Sequence, residues 1–195
     1  MDILYMNYFD IIKNVTNKTL PEQIFLFKNA IDANIVVDMI KQIEKTYPFE
    51  KVNRRPHLTM EFPVFFDKRD DKNSVYLREI IYFFMMPPIS QYFDKNNLSG
   101  MYAKKDFITI SKLEPPHGMG EHRDNEYKDS NHFICMMYIN DDYTGGEIVF
   151  PELGFEYKPS AGDILIYRGN LLHSVNPVVS GSRYTIGYGL TDDIT

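Results

Sequence analysis

The segment HFICMMYI, residues 132–139, is the longest of several short apolar stretches in the second half of this 195-residue chain. Its aromatic and β-branched residues favour a strand, and Asn140-Asp141 after it signals a turn. Similar stretches, with Gly, Pro or Asp between them, predict further strands at residues 107–110, 147–150, 155–157, 163–167, 175–179 and 183–188. Many short strands separated by turn residues are typical of a sandwich or barrel, so the second half predicts a β core.

The first half of the chain predicts two helices. Asp32 has the character of a helix N-cap, and apolar residues recur at helical spacing after it until Pro48. A second apolar stripe begins at Val75 and is predicted to break at Pro87-Pro88, with a short continuation to about Phe93. We expect both stripes to be helix faces that pack on a sheet.

Together these patterns predict a single α+β domain over residues 1–195. Its helical part would occupy about residues 1–105. Its core, at about 106–190, would be a double-stranded β-helix, or jelly roll, with the N-terminal helices packed on one sheet. Such a core is open at one end, so its inward-facing side chains can surround a ligand.

Composition narrows the classes of function. Charged residues make up 25% of the chain and hydrophobic residues 44%, which is ordinary for a globular protein. The net charge of −6 argues against a nucleic-acid partner, because phosphate contacts need a basic surface. The most apolar run, near residues 80–89, contains two prolines and is too short to span a bilayer, so no membrane partner is expected.

Cys135 is the sole cysteine, which excludes an intrachain disulfide and a cysteine-based zinc site. The first ten residues, MDILYMNYFD, lack the basic region of a secretory signal. We therefore expect a cytoplasmic protein. Nothing in the sequence decides the oligomeric state.

Two potential metal ligands, His122 and Asp124, stand two residues apart. If this segment is a strand, both side chains lie on one face and can reach the same metal ion. Two imidazoles and one carboxylate form the facial triad of non-haem Fe(II) oxygenases, which leaves coordination positions open. The second imidazole would come from one of the remaining histidines, which are His57, His117, His132 and His173.

His173 is favoured because of the residues that follow it. Arg183 lies ten positions further on, and Thr185 shares its strand face. A guanidinium and a hydroxyl that enter one pocket make a suitable site for a carboxylate. Taken singly, Arg183 could be a surface charge and His173 a hydrogen-bonded core residue, but their joint spacing favours one site.

The order and spacing of these residues resemble the prolyl 4-hydroxylase-like group of 2-oxoglutarate/Fe(II) dioxygenases. The neighbouring motifs that extend the resemblance are Tyr138-Ile139-Asn140, Gly145-Gly146-Glu147, Phe150-Pro151, Lys158-Pro159, Gly162-Asp163, Pro177-Val178 and Gly181-Ser182. Residues 24–44 also resemble the first strand and first helix of that group. The resemblance is strong over residues 106–190, and its motifs are specific to the superfamily rather than to a substrate.

The resemblance implies a hydroxylase that uses Fe(II), 2-oxoglutarate and O₂, with ascorbate as a further candidate, and that releases succinate and CO₂. His122, Asp124 and His173 would be the catalytic residues and the metal ligands. Arg183 would anchor the far carboxylate of 2-oxoglutarate, helped by Thr185 and Tyr138. Tyr138 lies 16 residues after His122, as does a 2-oxoglutarate-binding tyrosine in the hypoxia-sensing prolyl hydroxylases; it would otherwise be an inward core aromatic.

Two positions depart from the pattern of the group. Many prolyl 4-hydroxylases have a co-substrate-binding tyrosine nine or ten residues before His-x-Asp, where this chain has Leu113 and Lys112. Many also have a tryptophan six residues after the basic residue, where this chain has Gly189. The substrate therefore stays open: a prolyl residue in a peptide or protein is the first candidate, and a free amino acid or other small molecule is the second.

Polar loops at residues 54–71, 115–121 and 125–131 are candidates for the substrate side of the site. His117 lies in the second of them, and we expect it to be exposed to solvent. His57 and His132 have no partner at metal-ligand spacing.

Two other interpretations are weighed against the dioxygenase. A cupin-type metalloprotein without 2-oxoglutarate would share the fold, and Pro159-x-x-Gly162 followed by His173-x-x-Asn176 resembles cupin spacing. Such a protein has no reason to keep Arg183. A jelly-roll binding module with a vestigial site would have no reason to keep all three ligands.

Overall fold

The structure is a computed structural model that describes residues 23–32, 34–35, 37–38, 41, 45, 50–51, 58–63, 72–96, 102–103, 107–124 and 132–191. The strands are β1 (Ile24–Phe27), β2 (Glu50–Lys51), β3 (Leu58–Pro63), β4 (Tyr102–Ala103), β5 (Phe107–Leu113), β6 (Met119–His122), β7 (His132–Tyr138), β8 (Thr144–Gly145), β9 (Ile148–Phe150), β10 (Phe155–Tyr157), β11 (Ile164–Arg168), β12 (His173–Val175), β13 (Val178–Ser180) and β14 (Arg183–Thr191). A long helix, α1, spans Lys72–Lys95, and a short 3-10 helix spans Pro151–Leu153.

These strands form a large sheet, a small sheet and a two-stranded ribbon. The large sheet has the order β1-β11-β7-β14-β5-β3-β2, with β4 paired to the end of β14. The small sheet has the order β10-β9-β12-β6, and β8 pairs with β13. All the strand pairs are antiparallel, and the two sheets share a core in which Ile148 and Phe150 of β9 meet Ile134 and Leu165. This is the predicted double-stranded β-helix.

Strand β7 lies inside the large sheet, and its side chains alternate between two environments. Phe133, Cys135 and Met137 belong to the core between the large sheet and α1. Ile134 and Tyr138 belong to the core between the two sheets. The segment that predicted the fold is therefore buried on both faces, which explains why it is apolar throughout.

Helix α1 continues through Pro87 and Pro88, so the predicted break there is wrong. A proline inside a helix removes one backbone hydrogen bond and costs about 3 kcal/mol. Burial of Met85, Ile89 and Tyr92 against the large sheet, each worth about 1.5–3 kcal/mol, offsets that cost. The packing of the helix on one sheet agrees with the predicted fold class.

The predicted first helix is described in part. Residues 34, 35, 37, 38, 41 and 45 are helical, and the backbone N–H of Asn34 donates to Asp32 Oδ1 at 2.7 Å. This bond confirms Asp32 as the N-cap. The predicted end at Pro48 lies outside the described residues.

Three other sequence predictions need correction. The single strand predicted at residues 175–179 is two strands, β12 and β13, because Pro177 has no N–H to continue the ladder. Residues 58–63 of the first predicted loop form β3 in the large sheet, and the rest of that loop lies outside the described residues. The part of the chain expected to be helical, about residues 1–105, also supplies four strands, β1 to β4, of which the family resemblance indicates β1 alone.

In the described part of the chain, no helix is both long enough and apolar enough to cross a membrane.

Candidate metal centre

The small sheet and the residues after β6 bring the three predicted metal ligands together. His122 of β6 and His173 of β12 are register partners, so their imidazoles lie side by side with ring centroids 4.3 Å apart. Asp124 Oδ2 lies 3.4 Å from His173 Nε2, and Asp124 Oδ1 lies 3.8 Å from His122 Nε2. One ligand atom from each residue can be chosen so that all lie within 4.8 Å of one another. A single metal ion fits between atoms at this spacing.

Both histidines present the same ring nitrogen to the centre. His122 Nδ1 lies 2.8 Å from the carbonyl oxygen of Gly120, and His173 Nδ1 lies 2.9 Å from that of Leu171. A carbonyl oxygen accepts only, so each Nδ1 carries the proton and each Nε2 keeps its lone pair. Burial lowers the pKa of His173, against the opposing charge of Asp124, and so favours the neutral, ligating form.

Asp124 does not share a strand with His122, which corrects the predicted geometry. Strand β6 ends at His122, and Asp124 lies in the bend after it. Arg123 between them holds this bend: its Nη2 lies 2.5 Å from Glu152 Oε1, and its Nη1 donates to Glu152 Oε2 and to the carbonyl oxygen of Asn170. The carboxylate therefore reaches the histidines through an anchored turn rather than through strand periodicity.

Tyr167 of β11 reaches the same centre from the large sheet. Its hydroxyl lies 3.3 Å from His173 Nε2, and the two rings pack edge to face with centroids 5.0 Å apart. Burial, the charge of Asp124 and a hydrogen bond to Asp124 all raise the pKa of Tyr167 well above its usual value. Tyr167 cannot be recognised as a site residue from the sequence, because a tyrosine in an apolar strand is typical of a core.

A cavity of about 330 Å³ opens between the two sheets beside these residues. Such a volume suits a small co-substrate together with part of a substrate. The cavity is lined by Thr109, Ser111, Leu113, Met119, His122, Asp124, His132, Ile134, Met136, Ile148, Tyr167, His173, Val175, Arg183, Thr185, Gly187, Tyr188 and Gly189.

Arg183 and Thr185 are both buried and both line this cavity, as their alternation on β14 predicts. The Nε of Arg183 is buried and has no hydrogen-bond partner among the described residues. A permanently charged group is costly to bury when one of its N–H donors lacks a partner, so this guanidinium is suited to receive an anion from the cavity. Gly146 leaves room for it: with φ +69°, its backbone passes so close that an added Cβ would lie 3.0 Å from Arg183 Cδ.

Tyr138 lies next to Arg183 but is not among the residues that line the cavity. Its ring centroid is 5.2 Å from the Arg183 guanidinium carbon, and its buried hydroxyl has no hydrogen-bond partner in the described part of the chain. Burial raises its pKa, against the lowering effect of the Arg183 charge, so the hydroxyl is a neutral donor. Tyr143, which no sequence motif indicated, also places a buried hydroxyl in this region, and the residues that the structure describes give it no hydrogen-bond partner.

The remaining predicted positions fall on different sides of the site. Leu113 lines the cavity where many prolyl 4-hydroxylases have a tyrosine, whereas Lys112 turns away to pair with Glu114 at 3.0 Å. Gly189 lines the cavity without a side chain where many have a tryptophan.

The other histidines are placed as follows. His117 is exposed, as expected, and its Nδ1 lies 3.1 Å from the carbonyl oxygen of Glu114. His132 is buried and lines the cavity, a role that its alternation with Ile134 and Met136 could have indicated. His57 and the loop at residues 125–131 lie outside the described residues.

Comparison with known proteins gives relatives for part of the chain. No family model matches it. It is 41% identical over 93 residues to a PKHD-type hydroxylase of Colwellia psychrerythraea, and the match covers 42% of this chain and 41% of the relative. The chain thus matches about two fifths of the length of that relative.

Solved structures resemble the chain over most of its length. An oxidoreductase of the 2OG-Fe(II) oxygenase family from Burkholderia pseudomallei has a TM-score of 0.67 at 14% identity, over 88% of this chain and 85% of the other. A prolyl hydroxylase from Trichoplax adhaerens, in complex with a hypoxia inducible factor oxygen degradation domain peptide fragment, has the same score and identity over 87% and 84%. The motif resemblance is thereby confirmed: the chain is similar over 93 residues to a PKHD-type hydroxylase, and the fold is that of the 2-oxoglutarate/Fe(II) oxygenases.

Proposed function

We propose that this chain is a 2-oxoglutarate- and Fe(II)-dependent dioxygenase that hydroxylates an unactivated carbon, with succinate and CO₂ as co-products. The observation that carries the proposal is the convergence of His122, Asp124 and His173 on a cavity that also receives the buried guanidinium of Arg183. The hydroxylase relative and the oxygenase fold support it.

The three proposed ligands suit Fe(II). His122 and His173 would bind through Nε2, since Nδ1 of each ring already faces a carbonyl oxygen, and Asp124 would bind through a carboxylate oxygen. Two imidazoles and one carboxylate on one side of the ion leave positions for a co-substrate and O₂. When Fe(II), 2-oxoglutarate and O₂ are bound, they supply the oxidising chemistry, and the protein supplies orientation and a water-poor cavity.

Arg183 would hold the far carboxylate of 2-oxoglutarate. Its position on β14 is fixed by burial, and Thr185 on the same face adds a hydroxyl. The hydroxyl of Tyr138, which lies beside the guanidinium and has no partner among the described residues, would add a second hydroxyl donor once its ring shifts toward the cavity. A carboxylate that enters this end of the cavity would satisfy buried polar atoms that otherwise lack partners, which is a favourable exchange.

The substrate that we propose is a prolyl residue in a peptide or protein. The support is the fold shared with a prolyl hydroxylase that was solved with a peptide fragment, together with the prolyl 4-hydroxylase-like motifs. The alternative is a free amino acid or other small molecule. Gly189 in place of the usual tryptophan widens the cavity, so the fit of the reacting group differs from that of the prolyl hydroxylases that have it.

The test begins with the visible spectrum of the protein after Fe(II) and then 2-oxoglutarate are added without oxygen. A weak charge-transfer band is expected, because 2-oxoglutarate would chelate the iron through two oxygens. The band should disappear in His122→Ala and weaken in Arg183→Ala. Hydroxylation is then measured as succinate release and as a gain of one oxygen in mass, with proline-rich peptides compared against free proline.

The competing interpretations make different predictions in the same experiment. Iron binding without a band and without affinity for 2-oxoglutarate would favour a cupin-type metalloprotein. Absence of metal binding would favour a jelly roll that serves as a binding module. Comparing succinate release with and without ascorbate tests whether ascorbate supports turnover.

A further inference from the structure

The buried hydroxyl of Tyr167 has no part in the proposed chemistry so far, although it lies at the metal centre. The side chain is 1% exposed, and its ring is held edge to face by His173, at 5.0 Å, and by Phe150, at 5.2 Å. These contacts fix the ring, so the hydroxyl can do little but rotate its proton. The hydroxyl lies 3.3 Å from His173 Nε2, and Asp124 Oδ2 lies 3.4 Å from the same nitrogen, so this imidazole and this carboxylate are the two acceptors beside it.

Metal binding would leave Tyr167 with one of these two acceptors. His173 Nδ1 carries its proton toward the carbonyl oxygen of Leu171, so Nε2 holds the lone pair that a metal ion would take. Once Nε2 is a ligand, it can no longer accept the hydroxyl proton. Asp124 then remains as the acceptor, and a hydroxyl bonded to a carboxylate makes a strong, charge-assisted hydrogen bond.

The way in which Asp124 binds determines what else the metal can hold. Its two oxygens face different imidazoles, Oδ1 toward His122 and Oδ2 toward His173, so either one or both could bind the ion. Binding through both oxygens would fill a position that a chelating 2-oxo acid needs. A hydrogen bond to the second oxygen favours binding through the first alone.

We infer that Tyr167 is a positioning residue: its hydroxyl donates to the non-coordinating oxygen of Asp124 and so keeps this ligand bound through one oxygen. The inference rests on the metal site of the proposed function. It gives the large sheet a role in the coordination geometry, although the histidine ligands belong to the small sheet. Arg123 anchors the backbone before Asp124, and Tyr167 orients its carboxylate.

The test uses Co(II) alone, added to the full chain without oxygen, because its visible spectrum reports coordination number. Tyr167→Phe keeps the ring packing and removes the hydroxyl. We expect this change to weaken Co(II) binding about 10- to 100-fold, the usual effect of losing a partner of a metal ligand, and to alter the intensity of the spectrum. Binding of 2-oxoglutarate to the Co(II) form should weaken as well.

Tyr157→Phe is the matched control. Its hydroxyl also donates to a carboxylate, Asp163 Oδ2 at 2.6 Å, but Tyr157 is not among the residues that line the cavity. We expect this variant to lose stability while its Co(II) affinity and spectrum stay unchanged. Melting of each metal-free variant shows whether a lower affinity reflects a smaller folded fraction.

The inference is overturned if Tyr167→Phe binds Co(II) with the affinity and spectrum of the wild type. It is also overturned if affinity falls equally in Tyr157→Phe. The proposed function fails separately, if wild-type protein binds Co(II) but has no affinity for 2-oxoglutarate. Wild-type protein that binds no Co(II) contradicts both.

Discussion

The two sheets of the jelly roll contribute opposite kinds of polar group to the cavity between them. The small sheet supplies His122 and His173, whose Nε2 atoms offer lone pairs. The large sheet supplies Arg183, Thr185 and Tyr167, whose N–H and O–H groups are donors. The first set suits a cation, and the second suits the carboxylates that would surround it.

This division implies that metal binding and anion binding can be impaired one at a time. Asp124 is the exception: it follows β6 in sequence, yet its Oδ2 lies 3.4 Å from His173 Nε2, the atom that the Tyr167 hydroxyl on β11 approaches to 3.3 Å. The two functions should therefore be coupled at Asp124 and separable elsewhere. Four substitutions test this comparison.

The largest effect is expected from Asp124→Ala, which removes the charged ligand of the small-sheet set. We expect Co(II) affinity to fall by more than about 100-fold, because the loss of a residue that only hydrogen-bonds to a metal ligand already lowers metal affinity about 10- to 100-fold. Glu121→Ala removes an exposed carboxylate of β6, the strand that precedes Asp124; it is the control and should bind Co(II) like the wild type. Equal losses in both variants would mean that general surface charge attracts the metal.

Arg183→Ala should have the next largest effect. It removes one of the hydrogen-bond donors of the large sheet and should therefore impair anion binding. Loss of a buried, charged partner costs about 2–5 kcal/mol, so 2-oxoglutarate affinity of the Co(II) form should fall by at least about 30-fold. Co(II) affinity should change little. Arg168→Ala, an exposed arginine on the same sheet, should leave both affinities unchanged. A large loss of Co(II) affinity in Arg183→Ala would show that the two sets are not separable.

Thr185→Val keeps the shape of a buried side chain and removes its hydroxyl. A hydrogen bond to a charged group contributes about 1.5 kcal/mol, so 2-oxoglutarate affinity is expected to fall about tenfold by calorimetry. Thr144→Val removes an exposed hydroxyl that pairs with Ser180 Oγ at 2.8 Å, and it should have no such effect. Unchanged affinity in Thr185→Val would leave Arg183 as the proposed anchor without Thr185.

Tyr138→Phe should have the smallest effect on 2-oxoglutarate binding. It should also stabilise the folded protein rather than destabilise it. Its buried hydroxyl lacks a partner among residues 23–191 as far as these are described, and such a group costs about 1–3 kcal/mol, so its removal should raise the free energy of unfolding by about 1 kcal/mol. 2-Oxoglutarate affinity should fall about fivefold if the hydroxyl reaches the carboxylate. Urea denaturation measures the stability, and a decrease would mean that the hydroxyl is already paired in the free protein.

The sequence predicted the parts of the site that depend on residue type and spacing. Arg183 and Thr185 lie on one strand face, and His173 meets His122 across the small sheet, because strand periodicity and pairing obey simple rules. Asp124 was expected near His122 and lies there, but the expected cause, a shared strand face, is wrong. Its position depends instead on the long-range ion pair between Arg123 and Glu152. No local pattern predicts that contact.

The parts that the sequence could not predict are set by tertiary packing. Pro87 and Pro88 remain in a helix because its apolar face is buried on the large sheet, and intrinsic propensity carries no information about that burial. Tyr167 and His132 reach the cavity because each lies on the face of its strand that turns toward it. In a segment buried on both faces, composition does not distinguish the two faces.

The alternation of β7 has a consequence for the sole thiol of the chain. Cys135 is fully buried between the large sheet and α1, on the face opposite the cavity, and burial raises its pKa. A protonated thiol behind a sheet is shielded from oxidants formed at an iron site and from alkylating reagents. The rate at which Cys135 is alkylated would therefore report how often the large sheet and α1 separate, which is a measure of local opening of the core.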